Sequence, residues 1–364
     1  MSVSGPMPRS SWLFPLLAVL FFAATKVLGI EFSRTLPGLV FAAVLLVILL
    51  GTVFAAVHHA EVIAHKIGEP FGTLVLTMSV TIIEVALIAS IMLGDKSAPT
   101  LARDTVFAVV MIVCNGLVGI CILAGGLRYR EQNFQMTGSS IYLSVLVVLS
   151  VITLVMPDFT VAAPGPHYTG GQLIFVSIVT ILLYAVFLYT QTVRHRDYFI
   201  ADTDDASDSS PTSGKLLLVS FALLLAALIA VVLLAKKFSL VVDAATEIMG
   251  APPAFAGVVV ALLILMPEGV AAIAAARRND LQKSINLALG SSLATIGLTI
   301  PAVAVVALTL DKSLALGLDP QDIVLLFMTI AVSMLTFGTP QTNVLFGFVH
   351  LVVFAVYLFK VFSP

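Results

Sequence analysis

Apolar residues fall along this chain in long runs separated by short polar joints, and the runs recur eleven times. Their approximate limits are 11–30, 35–57, 70–93, 104–126, 138–157, 171–192, 216–235, 254–276, 285–309, 319–337 and 340–361. Each is near the ~20 residues that a helix needs to cross the hydrocarbon core of a bilayer. The joints carry the breakers and charges that end helices: Gly94-Asp95-Lys96, Arg128-Tyr129-Arg130, Pro164-Gly165-Pro166, Arg277-Arg278-Asn279-Asp280, Asp311-Lys312 and Gly338-Thr339-Pro340. The expected fold is an all-α integral membrane protein of about eleven transmembrane helices. The first run, Trp12 to Leu28, follows Arg9, holds Lys26 near its far end and has no clear cleavage site, so it reads as a retained helix.

One joint differs from the rest. Residues 193–215 carry Asp197, Asp202, Asp204, Asp205 and Asp208 among few apolar groups. Such a stretch buries too little surface to fold alone and reads as an acidic hydrophilic linker. The halves on either side echo each other. HAEVIAHKIGEPFG leads into the run holding Glu84, and VVDAATEIMGAPPAFAG leads into the run holding Glu268. Aligning Gly68 with Gly250 sets Glu61 opposite Asp243. The glutamate then follows its glycine by sixteen residues in one half and by eighteen in the other. The division expected is an N-terminal helix (1–33), a first five-helix repeat (34–192), the linker (193–215) and a second five-helix repeat (216–364). An odd number of helices per repeat inverts the second copy across the bilayer, the plan of many secondary transporters.

Composition narrows the class. Of 364 residues 60% are hydrophobic and 10% charged, and the mean hydropathy is +1.11. A soluble domain is nearer one half apolar and one quarter charged. The net charge of −2 excludes binding of nucleic acid driven by bulk charge. Cys114 and Cys121 share one apolar run about 10 Å apart along a helix, beyond disulfide reach. No nucleotide-binding loop is present, which argues against an ATP-driven pump. With the N-terminus inside, ten of the eighteen Lys and Arg lie on the inner side, a slight bias towards a cytoplasmic linker.

Two residues stand out inside the apolar runs. No other charge lies between Phe71 and Gly94 around Glu84, and Glu268 in VVVALLILMPEGVAAIAAA is equally isolated. A charge near the bilayer centre costs about 2.5–3.5 kcal/mol on insertion scales, so two at matching places point to function. Burial favours the protonated acid and a bound cation favours the carboxylate. A pair of such groups therefore holds protons or a cation in competition, and a doubly charged cation suits two carboxylates best. Oxygen ligands for a hard cation are at hand in Thr77 and Thr81 on the face of Glu84, and in Ser291, Ser292, Thr295 and Thr299 on the helix after Glu268. Asn115 holds the corresponding place in the first half, and Pro267 removes a helix hydrogen bond beside Glu268. His58, His59, Glu61 and His65 form a separate cluster. Their spacing is not that of a zinc protease, and they read as an interfacial amphipathic segment, with His59, Glu61 and His65 as candidates for proton access or pH sensing.

These motifs resemble the bacterial ChaA-type calcium/proton antiporters, in the cation/proton exchanger branch of the calcium/cation antiporter superfamily. The resemblance rests on GEPFGTLVLTMSVTIIEV (68–85), YAVFLYTQTVRHRDYF (184–199), ILMPEGVAAIAAARRNDLQKSINLALGSSLATIGLTIP (264–301) and TPQTNVLFGFVHL (339–351). It implies eleven helices, inverted repeats and two central glutamates that bind calcium alternately with protons, here Glu84 and Glu268. The family's serine-rich stretch falls on Gly290, Ser291 and Ser292, and its Ser-Asn pair on Cys114 and Asn115. Thr81 stands where the family has an asparagine, and Ala294 where it often has a glutamine. Fewer amide ligands leave sodium or potassium open as cargo. The function implied is Ca2+/H+ antiport by alternating access, with Na+/H+ or K+/H+ antiport as the alternative; a channel and an intramembrane metalloenzyme fit less well. The implied partners are membrane lipids, metal cations and protons, with no cofactor, no nucleic acid and no particular oligomeric state, in a bacterial inner membrane. A cysteine introduced into the linker is expected to react with an impermeant thiol reagent only from the cytoplasmic face; labelling of intact cells from outside would reverse the topology.

Overall fold

The computed structural model describes residues 8–30, 32–93, 98–199 and 214–363. The Gly94-Asp95-Lys96 joint and most of the acidic linker lie outside these residues. Among the described residues, eleven helices are long and apolar enough to cross a membrane. They are α1 (Arg9–Val27), α2 (Leu36–Ile67), α3 (Phe71–Met92), α4 (Leu101–Tyr129), α5 (Met136–Phe159), α6 (Gly170–Arg194), α7 (Gly214–Ile248), α8 (Ala254–Ala276), α9 (Leu281–Thr309), α10 (Pro320–Phe337) and α11 (Val344–Phe362). The number and the class are those expected.

Two helices outrun their apolar stretches. The 32 residues of α2 and the 35 of α7 make rods of about 48 and 52 Å, against a hydrocarbon core of about 30 Å. The segment from His58 to His65, expected as a separate interfacial piece, is the last part of α2, and Asp243 and Glu247 belong to the end of α7. Hydropathy marks where hydrocarbon ends; the helix ends where its backbone is turned aside. That happens at Gly68 (φ 75°) and Gly250 (φ 60°), a left-handed conformation open to glycine and closed to most other residues. The two glycines aligned from the sequence thus do the same local work.

Packing groups the helices differently from the chain halves. One compact unit spans Met1–Ala98 and Ala206–Gly250; the other spans Pro99–Asp205 and Ala251–Pro364. Each takes elements from both sides of the linker. In the first, α2 packs against α1, α3 and α7. Phe14 lies over Gly51, where a Cβ would fall 2.2 Å from its ring. Arg34 pairs with Glu247, tying the start of α2 to the end of α7.

In the second unit α4 is buried along nearly its whole length, with α8, α9 and α11 against it. Close crossings need small residues, as is usual where lipid tails compete with side chains for the same surface. A Cβ on Gly257 of α8 would lie 2.7 Å from the backbone of Asp104 and Thr105 in α4. A two-stranded antiparallel ladder, β1 (Glu131–Asn133) with β2 (Gln341–Asn343), ties the α4–α5 joint to the α10–α11 joint. It is a small addition to the all-α expectation, with β1 in a polar joint and β2 on the polar residues that open the last apolar run. Among the described residues, four helices contain a π-helical segment, at 112–117 in α4, 151–155 in α5, 190–194 in α6 and 295–299 in α9. Such wide turns are rare and collect at functional sites.

Gly257→Ala is expected to lower the melting temperature in detergent. Overpacking of this kind costs about 1–3 kcal/mol, more than the ~0.5–1 kcal/mol that alanine gains over glycine within a helix. Gly171→Ala, where a Cβ meets nothing within 4 Å, should melt at or slightly above the wild type.

Candidate cation site

Glu84 lies two thirds of the way along α3 and is 1% exposed. Thr81, one turn earlier, is buried and Thr77 half-buried, so the three follow one face of the helix in the first compact unit. Glu268 lies in α8 of the second unit, half-buried, directly after Pro267. The proline leaves α8 unbroken but denies one carbonyl its usual donor. The joint 277–280 then returns the chain as α9, whose start is capped by Asp280 accepting from the Lys283 backbone N–H at 3.0 Å. This hairpin brings Ser291 to Glu268: Ser291 Oγ donates to Glu268 Oε2 at 3.1 Å. Thr295, also buried, opens the π segment of α9.

The remaining candidates are placed otherwise. Ser292 Oγ donates to the Leu289 carbonyl of its own helix at 2.9 Å, the usual local bond of a membrane serine. Asn115 sits within the π segment of α4, fully buried, and faces α10 and α11. Its Nδ2 donates to Thr329 Oγ1 at 2.9 Å, and the Thr329 hydroxyl in turn reaches Met111 Sδ at 3.3 Å. Asn115 Oδ1 is 3.3 Å from His350 Nδ1, and His350 Nε2 is 2.9 Å from Thr336 Oγ1. With the amide nitrogen committed to Thr329, its oxygen must accept, which fixes the histidine as an Nδ1–H tautomer and Thr336 as the donor to Nε2. The amide oxygen that would meet a cation is thus held by His350.

His350, Thr329 and Thr336 were not singled out in the sequence. His350 was within reach of the same reasoning that selected the glutamates, since it is an ionisable side chain inside an apolar run. The cluster at the end of α2 comes apart. His59 is buried with Nε2 3.0 Å from the Ser11 carbonyl, while Glu61 and His65 are exposed on another side of the helix. Among the described residues, no three His, Cys, Asp or Glu side chains come together as a metal-holding group.

The pattern of the sodium/calcium exchanger protein family matches residues 37–193 and 219–362. The chain belongs to that family. This exchanger is a multi-pass integral membrane protein and a transporter, not an enzyme. It is 46% identical over 357 residues to the putative ionic transporter y4hA of Sinorhizobium fredii, covering 98% of this chain and 96% of that one. It is 38% identical over 367 residues to the sodium-potassium/proton antiporter ChaA of Escherichia coli, covering 98% and 96%. Its fold resembles the crystal structure of the selenium-substituted Ca2+/H+ antiporter protein YfkE, with a TM-score of 0.71 and 18% identity over 98% of this exchanger and 100% of that chain.

His350→Leu is expected to strand the Asn115 oxygen and the Thr336 hydroxyl at about 1–3 kcal/mol for each buried group left unsatisfied. A lower melting temperature in detergent than that of Thr329→Val, which leaves the histidine bonds in place, is the readout.

Proposed function

We propose that this exchanger moves Ca2+ against H+ by alternating access in a bacterial inner membrane, with Glu84 and Glu268 each holding cation or proton in competition. What carries the reading is the isolation of these two carboxylates inside otherwise apolar spanning helices, sixteen and eighteen residues after the two left-handed glycines, with a serine hydroxyl already on one of them. Protonation neutralises a sheltered carboxylate, and a cation does the same by direct contact. Either state can cross; the empty, doubly charged state is the costly one, and that cost couples the two flows. Thr77 and Thr81 offer further oxygens on the face of Glu84, and Ser291 offers one to Glu268, with Thr295 and Asn115, whose amide oxygen already accepts from His350, as further candidates.

A second reading is Na+/H+ or K+/H+ antiport on the same residues. It is supported by a relative named as a sodium-potassium/proton antiporter, alike over nearly the whole chain.

Everted vesicles energised with a proton gradient and read with a pH-sensitive dye test both. Ca2+ is expected to dissipate the gradient in the wild type, and Glu84→Gln and Glu268→Gln are expected to reduce the response to background. Because the cation needs the ionised carboxylates, half-maximal exchange should require more cation as the pH falls. A response to Na+ or K+ alone moves the cargo to the second reading, and normal exchange in both variants overturns the role of the glutamates.

A further inference from the structure

The second compact unit carries a capped, charged chamber at the end of its helices opposite the linker. The connection from α9 to α10 is not helical, yet its residues Leu314 to Leu318 are buried. It is held down strand-like on every side. Ala315 N–H donates to the Pro99 carbonyl at 3.0 Å, Leu316 and Gly317 N–H to the Pro166 carbonyl at 3.0 and 3.1 Å, and Leu318 N–H to the Leu154 carbonyl at 2.9 Å. Arg103 Nη1 donates to the Gly317 carbonyl at 2.8 Å. Gly317 is pressed so close to Asp158 that a Cβ would fall 2.1 Å from its Oδ1, so a larger residue there would have to displace that carboxylate.

Under the cap, Arg103 Nε donates to Asp104 Oδ1 at 2.9 Å and Thr100 Oγ1 to Asp104 Oδ2 at 2.9 Å. Lys360 of α11 donates to Asp322 Oδ2 of α10 at 2.7 Å. Asp319, 3.9 Å from Arg103 Nη2, is 62% exposed and is compensated by water. The sheltered groups are therefore three carboxylates, Asp104, Asp158 and Asp322, against two cations, Arg103 and Lys360. Asp104 has a donor on each oxygen, but Asp322 Oδ1 and Asp158 Oδ2 are buried with no hydrogen-bond partner. The chamber is one positive charge short, and the shortage sits on those two oxygens. An uncompensated buried charge is costly, and one proton on a carboxyl removes both the charge and one orphaned oxygen.

We propose that this chamber is a proton-binding site separate from the two central glutamates, and that Asp322 carries the proton. Asp322 is the more buried of the two candidates, 7% exposed. Thr329, the partner of Asn115, follows it by two turns on the same face of α10. The groups facing it are Lys360 and Tyr357 of α11, Arg103 and Asp104 of α4, and Asp319 just before its own helix. Asp158, at the end of α5, completes the cap together with His167, whose Nδ1 meets the Leu314 carbonyl at 2.9 Å. Tyr168 does not compete for the role: burial and the charge of Asp158 push its phenol up to about 12, and its hydroxyl donates to the Ile152 carbonyl at 2.6 Å. A metal cation is a poorer occupant, because a guanidinium and an ammonium already stand in the chamber. With the linker cytoplasmic, this capped end of the helices faces the outer side, where protons enter an exchanger driven by their inward flow. That role in transport rests on the proton-coupled reading above; the protonation of Asp322 does not.

Infrared difference spectroscopy of the full-length protein in lipid, between acid and alkaline pH, reads the protonated-carboxyl band directly. One such band is expected to persist in the Glu84→Gln, Glu268→Gln double variant, to vanish in Asp322→Asn and to return at a shifted position in Asp322→Glu. In the vesicle assay, Asp322→Asn, fixed in the uncharged form, should exchange with a flatter pH profile than the wild type, and Asp322→Glu should restore the slope. A band that survives Asp322→Asn, or one that vanishes only with Asp158→Asn, overturns the assignment. A lost band with an unchanged pH profile keeps the proton on Asp322 and removes it from transport. If Asp322→Asn does not fold, Lys360→Gln provides the test: loss of the cation should strengthen the band at a given pH, and an unchanged band overturns the proposal.

Discussion

Hydrocarbon offers no hydrogen bonds, so every charged or polar group this exchanger carries into the membrane must be answered by another part of the chain or by an ion. The answers take three forms here. Ser291 reaches Glu268; His350, Thr329 and Met111 surround Asn115; and Arg103 and Lys360 meet Asp104 and Asp322. Where the answer from the chain is complete, as for Asp104, the group is held in place. Where it is incomplete, a proton or a cation has somewhere to bind.

The same constraint shapes the backbone. Four spanning helices open into π turns, each of which shifts the helix register by a residue and so turns a side chain that would otherwise follow the helical stripe. Asn115 and Thr295 occupy two of them. Close packing supports these turns. Gly119 and Gly347 let α4 and α11 approach until a Cβ on either would lie 3.0 Å from the other's carbonyl. That approach is what brings His350 within reach of Asn115, so small residues and a wide turn together set the orientation of one amide.

Eleven spans and two isolated glutamates were legible in the chain because each follows from local composition. A spanning helix must be apolar for about 20 residues, and a charge inside one is conspicuous wherever it packs. The paired glycines at 68 and 250 were legible for a related reason, since a left-handed turn constrains the residue that makes it. How the cluster His59, Glu61 and His65 divides between buried and exposed was not legible, for the opposite reason. Proximity in sequence on a helix says nothing of which face is covered, and α1 covers only His59.

Tertiary structure alone decided which polar groups meet. Ser291 and Ser292 are neighbours of the same type, yet one bonds Glu268 and the other its own backbone. His350 is 235 residues from Asn115, and Asp322 is 38 from Lys360. No spacing rule spans such separations. The sequence by itself determined the class of the protein and marked the two carboxylates that stand alone in apolar runs, because the cost of placing charge in lipid depends on the run of residues around it. The pairing of those charges, the engaged Asn115 and the capped chamber were decided only by packing, because a hydrogen bond depends on distances of a few tenths of an ångström that no linear pattern encodes.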